Sequence, residues 1–129
     1  MGEIRAKHVL GEIGKVVPVR LLPGTDLLEG LKKTCVDYGI SAGTILSAIG
    51  SLSQLTIKIL IPNKEAKLGA AYGDPYTTPG PIEILSLGGV ILEDAATGEV
   101  DIHMHGIFCD QYGKTLGGHV VSEDNPVMA

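Results

Sequence analysis

Two imidazoles one residue apart, in His103-Met104-His105, and a third behind a pair of glycines, in Gly117-Gly118-His119, are the residues of this chain best suited to chemistry. On a β-strand, residues two apart face the same side with their Cα atoms about 6.8 Å apart, so His103 and His105 can aim at one point while Met104 faces away. Gln111-Tyr112-Gly113 reads as a turn, and a strand running back from it brings His119 beside the pair. Three neutral imidazoles suit a divalent metal ion, zinc above others, which takes nitrogen at about 2.0–2.1 Å and tolerates three protein ligands plus a water. A His-x-His pair alone also fits two hydrogen-bonded strand side chains. The third histidine tips the reading to metal, because Gly117 and Gly118 let backbone or ligand approach closely.

Other polar residues are weaker candidates. Asp101 has the strand parity of His103 and His105, so it either orients an imidazole from behind or is an ordinary solvated carboxylate. Cys109 has the same parity but stands about 13.6 Å beyond His105, too far to share an ion on an unbent strand. His8 lies in an unpatterned segment and reads as a surface residue.

The elements that must position these residues are legible in outline. Lys15 to Leu22 is rich in β-branched residues and stops at Pro23-Gly24, which predicts a strand with Pro18 at a sheet edge. Thr25 or Asp26 can cap a helix, Glu29 stands three residues after Asp26 as in a capping box, and Leu27, Leu28, Leu31 and Cys35 share one face, so a helix is predicted over 26–38, ended by Gly39. Short extended pieces are predicted over 43–49, 54–61, 82–92, 100–108 and 116–121. The stretch 63–80 reads as a long loop with at most one short strand, of the kind that serves a site, a subunit contact or neither. The fold class is α+β, a mainly antiparallel sheet with one principal helix.

Bulk properties narrow the function classes. A chain of 129 residues is the size of one domain and buries roughly two thirds of its unfolded surface, so a metal is not needed merely to form a core. The net charge is −5 and Lys32-Lys33 is the only adjacent basic pair, whereas a nucleic-acid surface needs clustered positive charge. Cys35 and Cys109 are far apart, and the opening Met-Gly-Glu-Ile-Arg lacks the apolar core of a secretory signal, which implies reduced thiols in the cytoplasm. Ala6 stands where a myristoylation motif wants Ser or Thr. No apolar run approaches the roughly 20 residues that cross a bilayer.

Read together, Leu-Leu-Pro-Gly-Thr-Asp-Leu-Leu at 21–28, Ala-Ile-Gly-Ser-Leu at 48–52, Glu-Ile-Leu-Ser-Leu at 83–87, His-Met-His at 103–105 and Gly-Lys-Thr-Leu-Gly-Gly-His at 113–119 resemble the PPC domain, the plant and prokaryote conserved domain, almost end to end. The resemblance implies a single PPC-like domain over 1–129 that assembles as a homotrimer, with His103, His105 and His119 matching a metal site near a subunit boundary in prokaryotic members. Plant relatives join the domain to AT-hook segments, which this chain lacks, so direct DNA binding is not expected. Where plant members show Gly-Arg-Phe-Glu-Ile-Leu, this chain has Gly80-Pro81-Ile82-Glu83-Ile84-Leu85. Glu83 is retained there as either a site residue or an ordinary strand carboxylate. The family usually continues past the position of Ala129 into a final strand, so either that strand is missing or a sheet edge is unpaired.

Three functions compete on this reading. A metal-binding homotrimer recognises a small anionic or carbonyl ligand at the open metal position. Alternatively, the domain is a regulatory interaction module with the metal as a structural staple, or a DNA-associated one. The resemblance implies no particular enzymatic activity; hydrolase or lyase chemistry needs a general base, for which Glu83 and Asp101 are the candidates.

Overall fold

Asp26 starts the one helix found among the described residues. In the computed structural model, which describes residues 2–129, Asp26 Oδ2 accepts the backbone N–H of Glu29 at 3.0 Å, and α1 spans Leu27–Tyr38. That carboxylate satisfies a donor that the first helical turn leaves without a partner. At the other end Gly39 takes φ 63°, a left-handed conformation that costs glycine no Cβ strain, and its N–H closes the helix on Val36. Leu27, Leu28 and Cys35 are buried and Leu31 packs against the core, which is the face expected from the sequence.

Seven strands follow: β1 (Ala42–Ile45), β2 (Gly50–Lys58), β3 (Leu60–Pro62), β4 (Ala70–Tyr72), β5 (Tyr76–Glu93), β6 (Val100–Cys109) and β7 (Thr115–Val120). All pairings are antiparallel, so the α+β class stands. Strands β3 and β4 form a separate hairpin, and the other five form one sheet in the order β1-β5-β2-β7-β6. With 18 residues, β5 serves two neighbours in succession, β2 through 76–84 and β6 through 83–93. Because β7 bridges β6 to β2, the sheet closes into a ring. Inside it lie Leu52, Leu55, Ile57, Ile82, Met104 and Phe108, all fully buried. Alternation along β6 puts Ile102, Met104 and Phe108 inside and Asp101, His103 and His105 outside.

Two expectations change. Residues 15–22 form no strand, and Val16 and Val19 are 63% and 40% exposed. Strand propensity expresses itself only against a partner ladder, and none lies beside this segment among the described residues. The stretch 63–80 holds the short strand allowed for it, β4, after a turn closed by Asn63 N–H on Gly69 O at 2.8 Å, but β5 already begins at Tyr76, well before the expected 82. Residues 126–129 lie along the first half of β2, where Ser53 N–H donates to Pro126 O and Met128 N–H to Ser51 O. No helix among the described residues is long and apolar enough to cross a membrane.

One buried polar side chain holds the end of β7 in place. Strands β2 and β7 pair only at Ile57–Val120 and Lys58–His119. Beyond that point Asn125, 0% exposed, takes over the ladder. Its Oδ1 accepts Thr56 N–H at 2.7 Å, and its amide donates to Thr56 O at 3.0 Å and Val121 O at 2.9 Å. Removing it leaves buried backbone groups of Thr56 without partners, so Asn125→Ala is expected to lose about 2–4 kcal/mol. Urea unfolding checks this, and a loss below about 0.5 kcal/mol would show that the clamp carries no weight.

Candidate metal centre

The β6–β7 hairpin turns on Asp110, whose Oδ1 accepts the N–H groups of Tyr112 at 2.9 Å and Lys114 at 2.8 Å. This turn sets the register in which His105 stands opposite His119 and Gly106 opposite Gly118. His103, two residues earlier, falls on the same outward face. The three rings converge, with centroids 4.8 Å apart for His103–His105, 4.7 Å for His103–His119 and 5.5 Å for His105–His119. One nitrogen from each lies within 4.8 Å of the others. The Nε2 atoms of His103 and His105 are 3.0 Å apart, close to the roughly 3.3 Å that separates two nitrogens on one tetrahedral zinc ion.

The two glycines before His119 differ in what they do. A Cβ on Gly118 would lie 2.9 Å from Lys58 O and 3.0 Å from Ile57 Cδ1, so glycine is what lets β7 approach β2 closely. At Gly117 the nearest atom is Gly106 O at 3.5 Å, an ordinary contact, so that position has room. Neither brings a donor side chain to the site.

Two further side chains belong to it. Tyr72, at the end of β4, places its hydroxyl 3.1 Å from His105 Nε2 and 3.3 Å from His103 Nε2. Its ring stacks on His119, with centroids 4.3 Å apart and planes at 29°. The sequence flags the stretch around Tyr72 but not the residue, because the contact spans more than 30 positions and has no periodic signature. Lys58, half-buried, is the ladder partner of His119 on β2 and shares its face. Among the described residues it has no carboxylate within ion-pair distance.

His119 shows best what the cluster is suited to hold. Its Nδ1 is buried and without a hydrogen-bond partner. Burial, then the proximity of His103, His105 and Lys58, pushes its pKa below the usual 6.5, while Asp101 pulls weakly the other way. A neutral imidazole with an unused buried nitrogen, beside two more imidazoles, fits a zinc-type ion. The lack of carboxylates in the group disfavours calcium or magnesium.

The weaker candidates lie elsewhere. Asp101 shares the histidine face but binds Lys32 at 3.3 Å and accepts Ile102 N–H at 2.9 Å, so it anchors β6 to α1, and among the described residues it has no hydrogen bond to an imidazole. Part-burial works against the charge of Lys32, yet Asp101 and Glu29 outweigh it and raise its pKa. Glu83 pairs with Cys109 across β5 and β6, about 13 Å along β6 from His105. It lines an open groove of about 460 Å³ with Ser51, Cys109 and Asp110, away from the histidines. Cys109 also stays clear of the cluster, and neither cysteine is paired.

Residues 9–129 match the family model of the Plants and Prokaryotes Conserved (PCC) domain. The fold is similar to that of a metal-containing protein from Archaeoglobus fulgidus, 28% identical with a TM-score of 0.70, over 92% of this chain and 83% of that one. It is also similar to a plant- and prokaryote-conserved protein from Pyrococcus horikoshii, 27% identical with a TM-score of 0.69, over 84% of this chain and 68% of that one. The bifunctional protein GlmU of two Synechococcus strains is 35% identical over 106 residues. That stretch is 82% of this chain, but the chain spans only 14% of the length of those curated relatives.

A titration follows from His119. Its folded pKa lies below 6.5, so the unfolded chain binds that proton more readily, and stability from this group is complete above 6.5 and falls as pH drops below it. In chelator, the melting temperature is expected to decline below pH 6.5 and the decline to flatten in His119→Gln. An identical profile in the variant would contradict this origin.

Proposed function

This chain belongs to the Plants and Prokaryotes Conserved (PCC) domain family, and on that footing we propose that it is a homotrimeric metal-binding protein, zinc being the favoured ion, whose three-histidine centre captures a small anionic or carbonyl ligand. The observation that carries this reading is the convergence of three imidazoles, one with a buried nitrogen that has no partner. His103, His105 and His119 would hold the ion, which when bound supplies a Lewis-acidic point for an electron-rich ligand. The metal-containing protein of Archaeoglobus fulgidus, alike over most of its length, adds support.

The chemistry around the histidines favours an anion. Among the described residues Lys58, across from His119, has no acidic partner, and the carboxylate on the histidine face, Asp101, is held by Lys32. With Asp101 engaged, Glu83 on β5 opposite the far end of β6, and no carboxylate in the histidine group among the described residues, binding rather than turnover is the favoured activity. The trimer is supported by an outward row of exposed apolar residues, Leu85, Val90, Leu92 and Ile107. Val90 is the ladder partner of His103, so the centre borders this row and would sit near a subunit boundary. Free thiols at Cys35 and Cys109 suit a cytoplasmic setting. With no basic cluster on the chain, duplex DNA is not the ligand we favour.

Elemental analysis of protein purified without an affinity tag, together with its mass in solution, tests this. Near-stoichiometric zinc in a trimer is expected, with the metal lost in His103→Ala/His105→Ala; wild-type protein unable to take up zinc would overturn it. For the anion, Lys58→Ala is expected to weaken phosphate binding to the zinc-loaded protein by about tenfold, the worth of one charge-assisted hydrogen bond. Calorimetry reads this, and unchanged affinity would remove Lys58 from the site.

A further inference from the structure

We propose that the phenol oxygen of Tyr72 is the fourth donor to the ion held by His103, His105 and His119, and that an incoming anion displaces it. This rests on the metal-binding reading above and goes beyond it, since it closes the coordination position that three histidines leave open.

The geometry of four atoms is the starting point. Tyr72 Oη, His103 Nε2 and His105 Nε2 form a triangle with edges of 3.0, 3.1 and 3.3 Å. The edge of a tetrahedron of nitrogen and oxygen donors around zinc is about 3.3 Å. Protons satisfy such a triangle poorly. A neutral imidazole nitrogen either donates or accepts, and a phenol has one hydrogen, so three short edges demand at least one shared proton. A single cation satisfies all three atoms at once. The ring of Tyr72 also lies flat against His119, which fixes the direction from which its oxygen meets the other two rings.

The four donors do not stand on equal footing. His103, His105 and His119 are carried by β6 and β7, inside the closed sheet. Tyr72 is carried by β4, which pairs only with β3, in a hairpin of three residues per strand. Two-stranded hairpins are marginal on their own, so moving this one costs little beside moving the sheet. The hairpin begins just after Lys58, the ladder partner of His119, which has no acidic partner among the described residues. An anion drawn to Lys58 therefore arrives where the phenol oxygen would leave. Coordination forms one metal–oxygen bond and gives the phenol proton to water. Displacement by an anion breaks that bond, and the oxygen takes a proton back from water.

Copper(II) reports on this directly, because a phenol oxygen bound to it as phenolate produces an intense visible charge-transfer band that imidazoles do not. The copper-loaded wild-type protein is expected to show the band and to lose it on addition of phosphate. Tyr72→Phe is expected to bind the same amount of copper without the band. A variant spectrum identical to wild type, or a wild-type spectrum with ligand-field bands alone, would overturn the proposal. A band untouched by phosphate would overturn displacement. If neither protein takes up copper, the metal-binding reading fails and this one with it.

Discussion

The register that sets His105 opposite His119 is the constraint on which the rest of this structure depends. Side chains on a strand alternate with a period of two, so a slip of one residue between β6 and β7 would turn His119 into the core and Val120 out to solvent. Three separate features hold that register. Asp110 ties the turn through two backbone N–H groups, Gly118 lets β7 lie against β2 where a Cβ would collide with Lys58 O, and Asn125 clamps the strand end to Thr56 and Val121. On the opposite face Met104, Phe108 and Val120 are buried, so the apolar pattern and the histidine pattern specify the same alignment.

From that alignment follows a division between a rigid part and a movable one. The closed ring of β2, β5, β6 and β7 presents three imidazoles on its outer face, while the small β3–β4 hairpin lays Tyr72 over them. The electrostatics point one way: burial and neighbouring imidazoles lower the pKa of His119, and Lys58 adds positive charge with no carboxylate within ion-pair distance among the described residues. Such a surface repels free cations that need hard oxygen ligands and favours a borderline ion together with an anion. Asp101, which shares the histidine face, is spent on Lys32 and so joins β6 to the helix instead.

What was legible in the sequence was what is encoded locally. The cap of Asp26 on Glu29, the left-handed Gly39 and the alternation across His103, Met104 and His105 each lie within a few residues, and each appears as expected. The hairpin that returns His119 could be read from its turn. Long-range pairing could not. The Lys15–Leu22 segment has strand composition but no partner ladder among the described residues, and the double service of β5 depends on which strands meet it, a matter of closure that composition does not record. Tyr72 was hidden for the same reason, since only the β3–β4 pairing brings it to the histidines. Within its motif Glu83 reads equally as a site residue or an ordinary strand carboxylate, and only the long-range pairing puts it opposite Cys109.

Anomalous X-ray diffraction at the zinc absorption edge, from crystals of protein purified without an affinity tag, tests the metal centre most directly. A single strong peak about 2.0–2.1 Å from one nitrogen of each of His103, His105 and His119 is the expected result. Well-ordered imidazoles in those positions with no peak among them, in protein supplied with zinc, would contradict it and reduce the three histidines to hydrogen-bonded strand residues.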